Sequence, residues 1–320
     1  MKLGIDLGYN AVKIKTRKTV TAFPSVVGTP ERASFSFNGH TDMIIHTDDG
    51  QWLIGESAVA QSRFASRRED RNWIHSPEYY RLMLAALTEA SSGSSTEFAV
   101  VTGLPVSFYK DKGQLQELFL GQHRVKRNDR NWQSFTVTDC RVIPQPFGAV
   151  LAVALDTNGR VINSDIAQGN IGVIDVGGKT TNLLSVSRLS EISKETASIS
   201  LGAWDIVRQI RQHLASEFPD LDLRDHELSQ VIIQRWFTYF GDTIGIGEVI
   251  DDILMPMAEQ VVAEASQLWN SGARLNKILV AGGGANLLGQ YILDHFQHAY
   301  IVDNPTFANV EGFYRFSQRF

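Results

Sequence analysis

Two aspartates stand at matching places in the two halves of the chain. Asp6 and Asp175 each end a short apolar segment, and each is followed two residues later by a glycine, Gly8 or Gly177. A second β-branched segment comes next, so the pattern predicts strand, tight turn and strand, with a carboxylate at the mouth of the turn. Burying an unpaired carboxylate costs free energy, so an aspartate at this position is not expected to stabilise the fold. Glycines in such a turn let backbone N–H groups converge on an anion. The two copies therefore predict a pair of lobes that hold a metal–phosphate group.

Two glycine-rich segments could contact a nucleotide. Residues 177–180 read Gly-Gly-Lys-Thr, but Val173 stands where a P-loop needs its first glycine, and a strand rather than a helix follows. Residues 282–284 are three glycines between a predicted strand and a predicted helix, where backbone can approach a ligand closely. They do not form a Rossmann fingerprint, because Leu287 occupies the third glycine position. A plain strand–helix connection remains the alternative for this turn.

Composition indicates an ordinary globular protein. The 320 residues are 43% hydrophobic and 20% charged, and this length predicts two domains. A net charge of −5 argues against a protein that coats nucleic acid directly, and leaves the basic stretches Arg63–Arg71 and His123–Arg130 as local patches or solvated surface. The single Cys140 excludes a disulfide framework and is expected to be a buried, inert thiol. No apolar run is long enough to span a bilayer, and we expect a cytoplasmic protein without membrane association.

Apolar periodicity and turn residues predict the remaining elements. The strands are expected at residues 2–7, 11–16, 20–24, 43–46, 51–54, 97–101, 171–174, 180–186, 196–200, 277–280 and 301–302, with a pair of strands near 132–142. The helices are expected from residue 56 and at 79–90, 108–119, 147–155, 203–215, 248–269, 285–296 and 310–320. Residues 123–130 are predicted to be a basic loop, and 218–245 a mixture of helix and loop. Pro256 either kinks the long helix or marks its start. The class is α/β, with a mixed sheet covered by helices.

Five motifs in this order resemble those of the actin/Hsp70/sugar-kinase ATPase superfamily. They are Asp6–Lys13, Pro144–Gly148, Asp175–Thr181, Gly202 and Gly282–Gly284. The tail Ala308–Phe313 resembles the closing A-N-x-x-G helix of bacterial plasmid-segregation actins, the ParM/StbA family. The resemblance implies a two-lobed actin-like fold, built from duplicated ribonuclease-H-like domains with an interlobe nucleotide cleft. It also implies a first lobe of residues 1–155 plus 304–320, with a small insertion at about 28–92. Residues 156–303 would form the second lobe, with a helical insertion at about 203–274.

The same resemblance assigns roles to individual residues. Asp6 and Asp175 are expected to hold Mg²⁺, mainly through water, and Asp175 to polarise the attacking water. Lys13 is expected to neutralise β/γ-phosphate charge, and Gln145 to orient the water. The expected ATP and ADP contacts are Gly8, Tyr9, Asn10, Gly177, Gly178, Lys179, Thr180, Gly202, Gly282, Gly283, Gly284 and Asn286. The residues alone leave other readings open: turn-capping aspartates, a surface strand lysine and a loop glutamine. Asn182 departs from the acidic or histidine residue that many relatives place nearby.

The function implied is ATP hydrolysis coupled to polymerisation into dynamic filaments, with plasmid or DNA segregation as the cellular role. The expected partners are further copies of the chain in a head-to-tail filament and a DNA-binding adaptor protein, without direct nucleic-acid binding. One alternative is a small-molecule kinase of the same superfamily, which needs an acidic base beyond the two aspartates. Another is an actin for cell shape, division or a pilus, in which Phe313, Phe316 and Phe320 could form an amphipathic end.

Overall fold

A computed structural model describes residues 1–30, 42–62, 66, 72–91 and 96–320. The basic stretch Arg63–Arg71 therefore lies, apart from Ser66, outside the described residues, as does part of the insertion predicted at 28–92. The chain divides into two compact units. Unit 1 comprises Met1–Ala167 and Phe307–Phe320, and unit 2 comprises Gln168–Thr306.

Unit 1 is built on one mixed sheet. Its described strands are β1 Lys2–Leu7, β2 Ala11–Lys15, β3 Val20–Pro24, β4 Val27–Gly28, β5 Ile44–Thr47, β6 Gly50–Ile54, β7 Glu97–Leu104, β8 Gly121–Arg127 and β9 Gln133–Pro144. They lie in the order β3-β2-β1-β7-β9-β8-β5-β6-β4. The helices are α1 Glu56–Gln61, α2 Pro77–Ala90, α3 Lys112–Phe119, α4 Phe147–Ala154, α5 Ser164–Gln168 and α10 Ala308–Ser317. Short 3₁₀ turns occupy Trp73–His75 and Val106–Asp111.

Strand β8 corrects a prediction, because residues 121–127 do not form the expected basic loop. The strand pairs antiparallel with β9, and His123 and Val125 are buried while Arg124 is exposed. This alternation is the period-2 pattern of a strand with one buried face. Of the two buried positions only Val125 is apolar, because the other is His123, so the stretch lacked the apolar alternation by which a strand is predicted.

Helix α10 packs against β1 and α4 through glycines. A Cβ on Gly312 would lie 1.8 Å from the carbonyl oxygen of Gly148, and one on Gly4 would lie 2.5 Å from the carbonyl oxygen of Val310. Two backbones can approach this closely only at glycine, which has no Cβ. Phe313 is fully buried in this contact. The final helix is therefore part of the core of unit 1, and Phe313 is not available for an amphipathic end.

Unit 2 is also a mixed sheet with helices. Its described strands are β10 Asn170–Val176, β11 Thr181–Ser187, β12 Ser190–Glu191, β13 Ala197–Ile199, β16 Lys277–Ala281 and β17 Ala299–Ile301, in the order β12-β11-β10-β16-β17, with β13 beside β11. A separate hairpin consists of β14 Trp236–Tyr239 and β15 Asp242–Gly245. The helices are α6 Ala203–Glu217, α7 Asp225–Gln234, α8 Gly247–Trp269 and α9 Ala285–His295.

The hairpin β14–β15 was not predicted, because residues 218–245 were expected to contain only helix and loop. Its two turn residues, Phe240 and Gly241, have φ values of 48° and 94°. Positive φ at both central positions is the geometry of a type I′ hairpin turn, for which phenylalanine is an unusual first residue. Pro256 lies inside α8, so it does not mark the start of that helix. No described helix is long and apolar enough to cross a membrane.

We predict that Gly312→Ala destabilises unit 1 by at least about 2 kcal/mol, because the new methyl group overlaps backbone that cannot move aside. Urea unfolding followed by circular dichroism measures the change in the free energy of unfolding. The matched control is Gly113→Ala in α3, where a Cβ would meet nothing within 4 Å. That change is expected to stabilise the protein by about 0.5–1 kcal/mol, since alanine favours helix. Equal effects from the two substitutions would contradict the packing argument.

Candidate functional site

The first hairpin buries a carboxylate between two polar partners. Asp6 lies near the end of β1 opposite Lys13 on β2, and its side chain is 1% exposed. The ammonium Nζ of Lys13 is 3.5 Å from Oδ2 of Asp6. The amide Nε2 of Gln145, just before α4, donates a hydrogen bond of 2.7 Å to Oδ1. Two other predicted site residues therefore meet at the carboxylate of Asp6: Lys13 from the same hairpin and Gln145 from far along the chain.

The turn after Asp6 is braced by a residue that the sequence did not single out. The amide of Gly8 donates to the carbonyl of Ala11 at 3.2 Å and so closes the turn. Ser25 is buried; its hydroxyl donates to the carbonyl of Gly8 at 2.5 Å, and its amide donates to the carbonyl of Asn10 at 2.9 Å. These bonds hold the backbone of residues 8–10, where the phosphate contacts were predicted. A serine directly after a proline carried no chemical signal in the sequence.

The chemistry around Asp6 fits a hydrated divalent cation. Its Oδ2 is buried and accepts no hydrogen bond from the described residues. Buried polar oxygens normally have such a partner, so this one is suited to a bound ion or its water. Within the described parts of the chain, no group of three or more histidine, cysteine or acidic side chains could cage a metal. Mg²⁺ commonly uses only one or two protein carboxylates and takes its other ligands from water and phosphate.

The hairpin of unit 2 repeats that of unit 1 residue by residue. Asp175 is 3% exposed at the end of β10 and pairs across the hairpin with Asn182. The amide of Gly177 donates to the carbonyl of Thr180 at 2.9 Å, as Gly8 does to Ala11. Asn182 therefore holds the place that Lys13 holds in the first copy, and only one of the two hairpins carries a cation there. The Oδ1 atom of Asn182 is buried and accepts no hydrogen bond from the described residues.

Gly202 lies against the second turn and directly precedes α6. A Cβ on Gly202 would lie 2.4 Å from the carbonyl oxygen of Gly178. The first amides of the helix, those of Ala203 and Trp204, donate to the carbonyls of Gly177 and Gly178 at 2.9 and 2.8 Å. This glycine therefore allows α6 to support the turn, and those two amides are already occupied. Lys179 and Thr180, farther along the same turn, are half-buried.

The triple glycine packs on Asp175. Gly282 has a φ of 86°, and a Cβ there would lie 2.5 Å from Oδ1 of Asp175. The amide of Gly284 donates to the carbonyl of Val176 at 2.9 Å. Gly283 and Asn286 are exposed beside them, and a Cβ on Gly283 would meet nothing within 4 Å. Two of the glycines therefore serve close packing around Asp175, and Gly283 offers open backbone.

Two buried groups of unit 1 are held in their neutral forms. Burial, and then the negative charge of Asp6, raise the pKa of Tyr79 well above its usual value, so this phenol stays protonated. Sequence analysis did not identify Tyr79, which lies on α2 and stacks edge-on against Trp73. Burial raises the pKa of Cys140 to about 12, which agrees with the predicted inert thiol.

Comparisons with known proteins match a region of each unit to an actin-like family. Residues 4–148 match the family described as the N-terminal domain of actin-like proteins, and residues 173–294 match the archaeal actin homologue family, MreB-like, C-terminal. Comparison with curated proteins finds no match.

Solved structures show the same fold over the whole chain. An archaeal actin homologue, Ta0583, has a TM-score of 0.84 and 20% identity, with 100% of this chain and 99% of that one covered. A ParM from a 15-stranded filament of Clostridium botulinum has a TM-score of 0.82 and 24% identity, with the same coverage. The actin-like protein Alp7A has a TM-score of 0.77 and 17% identity, covering 99% and 96%. Each unit therefore contains a region that matches an actin-like family, and the chain as a whole has the actin-like fold, of mixed α/β class with two lobes.

Proposed function

We propose that the chain is an ATPase that polymerises into filaments, with its two Asp–Gly hairpins as the phosphate- and metal-binding elements. The observation that carries the proposal is the buried Oδ2 of Asp6, which accepts no hydrogen bond from the described residues and lies beside Lys13. The archaeal homologue has also been solved in complex with ADP, which supports nucleotide binding by this fold.

Asp6 and Asp175 would hold Mg²⁺ through its water, and the ion would neutralise charge on the phosphates. Lys13 adds a fixed positive charge at the first turn. Because Nε2 of Gln145 donates to Asp6, its carbonyl oxygen is the group left to accept a hydrogen bond from the attacking water. Asp175 polarises that water. Phosphoryl transfer depends mostly on such positioning and charge neutralisation.

The filament role is supported by relatives whose names describe assemblies. The ParM from Clostridium botulinum and Alp12 were both solved as filaments. Interfaces in which two different surfaces meet do not close on themselves and generate such polymers. We propose plasmid or DNA segregation as the cellular role, with a DNA-binding adaptor. A net charge of −5 fits a protein that reaches DNA through a partner. The A-N-x-x-G tail is evidence for the family resemblance and not for the nature of the cargo. Its Gly312 is needed for packing against Gly148.

The decisive experiment is a titration of Mg²⁺ and ATP followed by light scattering and sedimentation. We expect sedimentable polymer at about 10 µM protein, because a critical concentration in this range corresponds to a moderate free energy of association between copies of the chain. The polymer is expected to dissolve when the metal is chelated. Failure to sediment at any nucleotide concentration, together with phosphate transfer to a metabolite, would instead establish the small-molecule kinase.

We predict that Lys13→Ala weakens ATP affinity by about tenfold to a hundredfold, because it removes the cation beside the phosphate turn. Fluorescence titration with an ATP analogue measures the affinity. Lys15→Ala is the matched control: Lys15 lies two residues further along β2 and pairs with Glu311 at 3.2 Å. The assignment of Lys13 fails if the two alanine variants bind ATP equally well.

We predict that Asp175→Ala lowers ATP hydrolysis by about a hundredfold or more, since the group that polarises water is lost. Filaments formed by this variant are then expected to persist after wild-type filaments have disassembled. Phosphate release and light scattering, recorded on the same sample, measure both effects. Asp165→Ala, which changes an exposed aspartate of α5, is expected to behave as wild type. Unchanged hydrolysis by Asp175→Ala would remove this residue from the mechanism.

A further inference from the structure

The two units carry opposite net charges. Unit 1 has 21 lysine and arginine residues against 18 acidic ones, a formal charge of +3, and unit 2 has 9 against 17, a formal charge of −8. Together they give the −5 of the whole chain. A chain with one basic and one acidic half is electrostatically complementary to another copy of itself, provided that local surfaces carry the charges.

Unit 1 presents a basic surface on strand β8, which we call the basic face and define as Arg124, Lys126, Arg130 and Trp132. Arg124 is exposed, and its guanidinium lies 4.5 Å from the centre of the ring of Trp132, which is itself 41% exposed. Lys126 follows at the next outward position of the strand, and Arg130 is exposed in the turn after it. Asp129 is an acidic neighbour in that turn. A net positive charge beside an exposed indole remains.

Unit 2 presents the opposite chemistry at hairpin β14–β15, on a surface we call the acidic tip: Glu217, Asp220, Asp222, Phe240 and Asp242. Phe240 is 83% exposed at the turn. The four acidic residues are exposed, and the nearby Arg211 donates to the backbone carbonyl of Leu223.

Two contacts make the acidic tip one surface. The hydroxyl of Tyr239 donates to Asp220 at 3.4 Å, and the ring of Phe218 lies 5.2 Å from that of Tyr239. These contacts tie the hairpin to the connection that follows α6.

We propose that the acidic tip of one copy docks on the basic face of a second copy. Charge complementarity identifies a second copy of the chain as the partner. The three cations of the basic face, beside Trp132, would meet the four carboxylates of the acidic tip, beside Phe240. The two surfaces differ, so the contact is heterologous and leaves one free surface of each kind on every pair, which allows continued growth. The inference rests on the proposed function, and it names the surfaces through which copies associate.

Charge exchange tests the contact. One variant carries Arg124→Glu and Lys126→Glu, and the other carries Asp220→Lys and Asp242→Lys. Each is expected to raise the critical concentration for Mg²⁺–ATP assembly by about tenfold or more, because like charges then face each other. An equimolar mixture of the two variants is expected to assemble, since each supplies the surface that the other now fits. Phe240→Ser is expected to weaken assembly as well, without a change in the free energy of unfolding.

The controls are Lys110→Glu and Glu264→Lys, which reverse exposed charges of units 1 and 2 outside both surfaces, and both are expected to assemble as wild type. Binding of a fluorescent ATP analogue shows that every variant is folded. Normal assembly of both charge variants overturns the contact while the proposed function stands. The contact is also overturned if the variant with Arg124→Glu and Lys126→Glu assembles normally but no longer binds a DNA duplex probe. If the wild-type protein forms no polymer, the proposed function fails first.

Discussion

The burial of one charged oxygen is the constraint on which the first unit depends. Asp6 is almost completely removed from solvent, yet only one of its two oxygens accepts a hydrogen bond from the described residues. A buried carboxylate is tolerated when nearby charges and donors compensate for lost hydration. Lys13 and Gln145 supply part of this compensation, from the next strand and from the start of a helix. Oδ2 of Asp6 still accepts no hydrogen bond from the described residues, and this is the atom that we propose to act on the metal and its water.

Close approach of backbones is the second constraint, and it explains most of the glycines in the motifs. Gly282 lets a turn lie against the carboxylate of Asp175, and Gly202 lets α6 begin against the turn at Gly178. Gly312 and Gly148 do the same for α10 and α4, far along the chain from either aspartate. A glycine motif in this protein therefore reports packing around a site at least as often as contact with a ligand.

The duplicated hairpin is alike in its backbone and different in its charge. Both copies place an aspartate at the strand end and close the turn with the same amide–carbonyl bond. The cross-strand partner is a lysine in one copy and an asparagine in the other. Only the hairpin of unit 1 therefore places a cation directly opposite its aspartate.

The sequence by itself determined the local features: the two hairpins, the glycine turns, the strands and helices with clear periodicity, and the family. The hairpins, turns and periodic elements depend on residues close together in the chain, where spacing and φ preference decide the backbone. The family resemblance depends on the order of several such motifs along the chain. Tertiary structure decided that Gln145 meets Asp6, that Ser25 braces the first turn and that the charge of Asp6 acts on the buried phenol of Tyr79. It also decided that residues 121–127 form a strand and that Phe240 lies in the turn between β14 and β15. These depend on which distant segments pack together, because burial and cross-strand pairing can override the preferences of a short stretch of chain.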